Sequence, residues 1–212
     1  MRKIYLFLFV ISGLIINSCI KHEIIPAPEY TVDLTYSFAG VIDGQNVSLS
    51  PDSAAYICNP TQEKNLVSPP QLSSAIYYST ISSSSATAAM EIGLGKIDWD
   101  RSGGDDPALN DFNDFFIATA NAFPSYKDFC DPGFRVVYTD ENGAIYKSSE
   151  NSTQYQDVKF TNIKQDSDAT GDYSKFTCTF NCYVYYDSGT AMQTGKDSLK
   201  IQMGKFKGWF KK

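Results

Sequence analysis

From Asp98 to Asp106 the chain reads Asp98-Trp99-Asp100-Arg101-Ser102-Gly103-Gly104-Asp105-Asp106, with oxygen-bearing side chains at alternate positions ahead of a glycine. Asp98, Asp100 and Ser102 at the first, third and fifth positions, with Gly103 at the sixth, follow the ligand rhythm of a calcium loop, and Asp106 adds a further oxygen. Calcium takes roughly six to eight oxygens, commonly closed by a bidentate acid at the twelfth position. This chain has Leu109 there, so Asp106 or Asp111 must compensate. The competing expectation is a Gly-rich loop feeding a helix N-terminus, where acids are favoured by the helix dipole. Carboxylate pairs also suit a hydrolase acting on glycosides, whose two acids sit ~5 to 9.5 Å apart. The adjacent acids here, Asp105-Asp106 and Asp140-Glu141, fall in turns, where solvated turn formers are the simpler expectation. The sole histidine, His22, precedes the globular part. A domain without histidine has no Ser-His or Cys-His pair and no imidazole base, so an enzyme is not expected.

Cysteine supplies the second chemistry. Arg2 and Lys3 precede a nearly unbroken apolar run from Ile4 to Ile16, the pattern of a secretory signal. The run is shorter than the ~20 residues a membrane-spanning helix needs. It ends in Ile16-Asn17-Ser18-Cys19, which resembles the bacterial lipobox. The resemblance implies removal of residues 1–18, diacylation of the Cys19 thiol by palmitate-like chains and acylation of the new amino terminus. Two or more chains anchor stably, because each buried methylene contributes roughly 0.8 kcal/mol. Four cysteines remain, Cys58, Cys130, Cys178 and Cys182, an even number in a compartment that permits disulfides. Cys178 and Cys182 lie four residues apart on one strand, ~13 Å at ~3.3 Å per residue. A disulfide needs Cα atoms within roughly 7 Å, so each is expected to reach Cys58 or Cys130 instead. The alternative is buried free thiols behaving as small hydrophobes. Zinc is not expected, because the spacing fits no metal knuckle.

The elements that position these residues are mostly strands. Residues 19–30, with Pro26 and Pro28, read as a semi-rigid tether, and residues 31–212 as a single domain. Val32, Leu34, Tyr36 and Phe38 alternate with polar residues at the period of a half-buried strand, followed by the hairpin signal Asp43-Gly44 and by Val47 and Leu49. Between Ser50 and Ser74 four prolines favour loop, with one short strand at Ala55 to Cys58. Ala75 to Ile81 and Ala88 to Ile97 predict two strands joined by Ser82 to Ser85. Asp106 as N-cap, Pro107 at the first helical position and Ala108, Phe112, Phe115, Phe116 and Thr119 at helical spacing predict one short helix. Its aromatic stripe is a packing face.

Farther on, Phe134, Val136 and Tyr138 lead into Asp140-Glu141-Asn142-Gly143, and Ala144, Tyr146 and Ser148 lead out, predicting a hairpin. Val158 and Phe160 mark another strand. Phe176, Cys178, Phe180, Cys182, Val184 and Tyr186 predict the strongest strand, all on one face. In the last strand the alternation changes phase at Gly204, which predicts a bulge. The sum is a mainly β chain, an antiparallel β-sandwich with one short helix. Among its aromatics, Tyr77, Tyr78, Tyr183, Tyr185 and Trp209 are the candidates for an outward platform that stacks on sugars.

The chain has 212 residues, with 14 Phe and 14 Tyr, ample for a packed core. Loss of Arg2 and Lys3 with the signal leaves 16 basic against 24 acidic residues, a net charge of minus eight. That balance gives no electrostatic footprint for nucleic acid or for anionic lipid. The lipobox, the proline-bearing tether, the Val41-Ile42-Asp43-Gly44-Gln45 turn, the Phe134 to Ser149 hairpin and the terminal Gly204-Lys205-Phe206 strand together resemble the small lipoproteins of Bacteroidetes. The resemblance implies a β-rich lipoprotein held at the outer membrane, on its periplasmic or its surface side, and it carries no catalytic residue. The expected role is therefore non-catalytic binding or structure, with the membrane contacted through the lipid and envelope proteins or glycans as partners. Accessory glycan binding in polysaccharide uptake is the more specific form, and a carboxylate-based hydrolase the remaining one.

Overall fold

In the computed structural model, residues 29–122, 124–152, 156–187 and 196–212 are described. Thr31–Lys212 forms one compact unit. Cys19 and the signal and tether residues through 28 lie outside the described residues. The strands are β1 (Ser37–Ile42), β2 (Gln45–Leu49), β3 (Tyr56–Asn65), β4 (Ser73–Ser83), β5 (Ala89–Trp99), β6 (Gly133–Thr139), β7 (Ile145–Ser148), β8 (Asp157–Asp168), β9 (Gly171–Tyr186) and β10 (Ser198–Lys211). A 3-10 turn, Arg101–Gly103, and one helix, α1 (Leu109–Asn121), separate β5 from β6.

The fold is mainly β, as alternation predicts: the described residues form ten antiparallel strands in the order β2-β1-β10-β9-β7-β6-β5-β4-β3, with β8 paired to β9 off that path. β9 is the spine. Along its length it pairs with β10 on one side, while its other edge takes β8 over residues 171–181 and β7 over 184–186. The sheet folds back on itself, so that β3 and β4 return against β10. A Cβ on Gly208 would come within 2.8 Å of Ser79 Oγ, and Tyr36 Oη donates to the Tyr56 carbonyl at 2.8 Å. Small residues at Ser79 and Gly208 are what let the two layers approach so closely.

The core lies between these layers, and aromatic residues dominate it. Phe112 and Phe116, one helical turn apart, place α1 over the open side of the core, where Phe116 stacks on Phe210 at 4.8 Å and Tyr77 meets both helix rings edge-on at 5.3 and 5.5 Å. Phe210 in turn stacks on Phe176 at 4.5 Å, and Phe176 leads through Phe160 to Phe134. The helix thus acts as a packed plug. Its start differs from the expected one: α1 begins at Leu109 after Ala108, with no side-chain cap. Asp106 is instead drawn to Lys64 Nζ, which removes it from the cap position.

Two strand expectations are corrected. The Ser50 to Ser74 region holds a ten-residue strand, β3, rather than loop with a short strand. Pro60 is tolerated there because β3 pairs only with β4, and an edge strand can lose an N–H that faces away from the ladder. Residues 31–36 are not a strand, although their alternation is real: Val32 is buried against Tyr173 and Trp209, with Leu34 and Tyr36 packed on the same cluster. The hairpins follow their turn chemistry. Asp43 (φ 49°) and Gly44 (φ 84°) both adopt the left-handed region of the two-residue turn between β1 and β2. Asp140 Oδ1 accepts from Asn142 and Ala144 N–H at 2.9 and 2.8 Å in the turn between β6 and β7. The phase change in β10 is a bulge between Ile201 and Gly204, with Met203 at φ 51°.

Candidate functional site

The four cysteines are free thiols, which corrects the disulfide expectation. Cys178 and Cys182 do share the core-facing side of β9, but neither is joined to Cys58 or Cys130. The physical reason is position. Cys58 on β3 contacts Ser79 Oγ at 3.3 Å, whereas Cys130 is buried on the outer face of β5 beneath its own loop. A Cβ on Gly93 would lie 2.8 Å from Cys130 Sγ, so that glycine is what admits the loop. Burial pushes the thiols up, to about 11 for Cys58, about 12 for Cys130 and Cys182, and well above the ordinary value for Cys178. Such thiols stay protonated and make poor nucleophiles and poor metal ligands at neutral pH.

The calcium-loop candidates share a cleft of about 410 Å³ between β5 and α1, lined by Asp98, Asp100, Asp106 and Asp111. They do not converge on one point. Asp100 Oδ1 caps the 3-10 turn by accepting from Ser102 N–H at 2.8 Å, Asp98 lies 3.7 Å from Lys96 Nζ, Asp105 is paired with Arg101 and Asp106 with Lys64. Among the described residues, no three Asp, Glu, His or Cys side chains gather in a metal-holding group. Each acid of the loop has a structural partner, and Ser102 contributes its backbone rather than its hydroxyl.

The expected outward aromatics are largely covered. Tyr77 is in the core, Tyr78 lies under the Arg135 guanidinium at 5.2 Å, and Trp209 is packed edge-on by Tyr36 at 5.7 Å. Tyr183 and Tyr185 remain half-exposed. Tyr185 lines a cleft of about 270 Å³ with Arg135, the Lys147–Asp187 ion pair and Phe129, a residue that is 78 % exposed.

A basic groove lies on the outer face of β8, β9 and β10. Two depressions of about 450 and 400 Å³ share Lys205 and run along β9. Register builds it. Lys159, Thr179 and Lys205 form one cross-strand row, and Thr161, Thr177 and Lys207 form the next. The following row brings Lys164 beside Lys175, which is held by Asp166 at 2.9 Å. Thr177, Thr179 and Asn181 make the floor, and lysines on β8 and β10 make the walls. Asp33 borders one end and Asp157, bonded by the Asn181 amide at 2.8 Å, the other. Lys159, Lys205 and Lys207 are exposed, and none has a carboxylate within ion-pair distance among the described residues.

This groove was missed from the sequence. Its one local signal is Lys205-x-Lys207, two lysines on the same face of a strand in an otherwise acidic chain. Chemically it can bind anions electrostatically while offering neutral hydroxyl and amide groups beneath. Among the described residues no helix is long and apolar enough to cross a membrane. Comparison with known proteins found no matching family model, curated protein or solved structure.

Proposed function

We propose that this is a non-catalytic binding lipoprotein of the cell envelope, tethered by lipid on Cys19 and binding ligand on the outer face of β8, β9 and β10. The observation that carries the binding reading is the lysine-walled groove on a chain of formal net charge −6. Local positive potential against an acidic background concentrates anions where the protein as a whole repels them. The non-catalytic reading is supported by protonated thiols and by the absence of histidine beyond His22. The lipid reading rests on Ile16-Asn17-Ser18-Cys19.

Metabolic labelling with an alkyne fatty acid tests the anchor. The full chain is expected to take label and sediment with outer membranes, and Cys19→Ala to lose both; an unlabelled wild-type chain overturns the reading. Glycan binding as an accessory to polysaccharide uptake is the more specific form. It is favoured by the Phe129–Tyr185 cleft, where an exposed ring adjoins charged hydrogen-bonding groups. A glycan array probed with the full chain tests this form, and an array with no signal above background overturns it.

A further inference from the structure

The groove has a shape that narrows its ligand class, and the narrowing rests on the binding reading above. From Lys175 to Asn181 its floor spans seven residues of β9, six steps or about 20 Å at ~3.3 Å per residue. The floor carries no charge of its own between those ends. Thr177 is buried, Thr179 exposed and Asn181 intermediate, so hydroxyls and an amide line a recessed track. The walls differ: Lys205 and Lys207 lie about 7 Å apart along β10, and Lys159 faces Lys205 across Thr179.

We propose that this groove binds an extended acidic polysaccharide, whose carboxylate or sulfate groups meet Lys159, Lys205 and Lys207 while its hydroxyls bond with Thr177, Thr179 and Asn181. Three features favour that ligand. Alternating charge and hydroxyl groups along a polymer match lysine walls over a threonine floor. A membrane of anionic lipid is flat and engages lysine tips, leaving the buried Thr177 unused. An acidic peptide that adds a strand to a free edge, such as that of β8, pairs beside the groove rather than on its floor, because β9 is paired on both sides, to β8 and to β10. Lys164 and Lys175 extend the basic wall toward Asp33, and the Lys175–Asp166 pair fixes that end.

The test is isothermal titration of the full chain held in detergent-free nanodiscs of neutral phosphatidylcholine with four probes: a polygalacturonate oligomer, its methyl ester, poly-L-glutamate and phosphatidylglycerol vesicles. The oligomer is expected to bind with an affinity that falls as salt rises, and the other three to bind at least tenfold more weakly. The double variant Lys205→Gln with Lys207→Gln is expected to lose at least tenfold in affinity for the oligomer. Thr179→Val, which keeps the strand and every charge, is expected to lose several-fold. Equal binding of the methyl ester overturns the acidic class but leaves a glycan-binding groove. Equal binding of poly-L-glutamate or the vesicles overturns the polysaccharide and leaves a polyanion groove. An unchanged affinity in the double variant overturns the site. Silence with all four probes overturns the anionic groove itself.

Discussion

The Asn181 carboxamide grips the backbone of Met203: its Oδ1 accepts the Met203 N–H at 2.8 Å, while its Nδ2 donates to Asp157 Oδ1 at 2.8 Å. One side chain thereby ties the bulge of β10 to the first residue of β8, across β9. The bulge is what reverses the phase of β10, turning Lys205 and Lys207 outward while Phe206 and Phe210 stay in the core. Met203 holds a positive φ of 51° at the cost of about 1 kcal/mol for a residue with a Cβ, and its side chain is 73 % exposed. Met203→Gly is therefore expected to stabilise the protein by about 0.5–1 kcal/mol in urea denaturation. Asn181→Ala removes both hydrogen bonds and is expected to cost about 1–2 kcal/mol.

The uncapped start of α1 makes a second expectation. Ala108 is exposed, has φ −60° and ψ 154°, and offers no acceptor to the free N–H groups of the first turn. Ala108→Ser or Ala108→Asp supplies one and should raise stability by about 1 kcal/mol, read as a higher urea midpoint at constant slope. A lower midpoint for both variants would show that Ala108 is held by packing rather than by helix entry.

That vacant cap also explains where the sequence was legible. Pattern and turn chemistry located the helix and its buried Phe112 and Phe116, because a 3.6-residue period is local information. They misplace its start, because Asp106 has the chemistry of a cap but is taken by Lys64, a lysine 42 residues away in sequence. The alternation from Val32 to Tyr36 reported burial correctly but not strand pairing, because packing on Trp209 imposes the same period as a ladder. β3 was hidden by Pro60, whose meaning depends on lying at a sheet edge. The groove was least legible of all. Lys159, Lys205 and Lys207 become neighbours only through the register of β8, β9 and β10, which two bulges reset.

The free thiols predict an alkaline weakness. Between the ordinary thiol value and the raised values near 11 to 12, the unfolded chain has lost protons that Cys58, Cys130 and Cys182 still hold when folded. The unfolded state then binds fewer protons, so stability falls as pH rises. The contribution is fully present below about pH 9 and is lost progressively above it, at roughly 1 kcal/mol per buried thiol per pH unit. Urea midpoints should accordingly be level from pH 7 to 8.5 and drop by pH 10. Maleimide labelling at pH 7.5 should be slow at all four thiols in the native protein and complete in denaturant. Rapid native labelling at Cys178 or Cys182 would show that β9 opens readily.

Tyr77 gives the sharpest test of the plug. Its ring is fully buried between Phe112 and Phe116 of α1, yet its Oη has no hydrogen-bond partner among the described residues. Burial accordingly pushes its ionisation above the ordinary tyrosine range, with Asp106 adding in the same direction. An unpaired buried hydroxyl costs about 1–3 kcal/mol, whereas the ring contributes through contact with the helix. The two can be separated by substitution. Tyr77→Phe keeps every ring contact and removes the hydroxyl, so it is expected to raise stability by about 1–2 kcal/mol. Tyr77→Ala removes the ring as well and should cost about 3–5 kcal/mol, because the helix cannot close the cavity without losing the Phe116–Phe210 stack. If Tyr77→Phe proves destabilising by thermal and urea melts alike, the hydroxyl is bonded and α1 seats differently over the core.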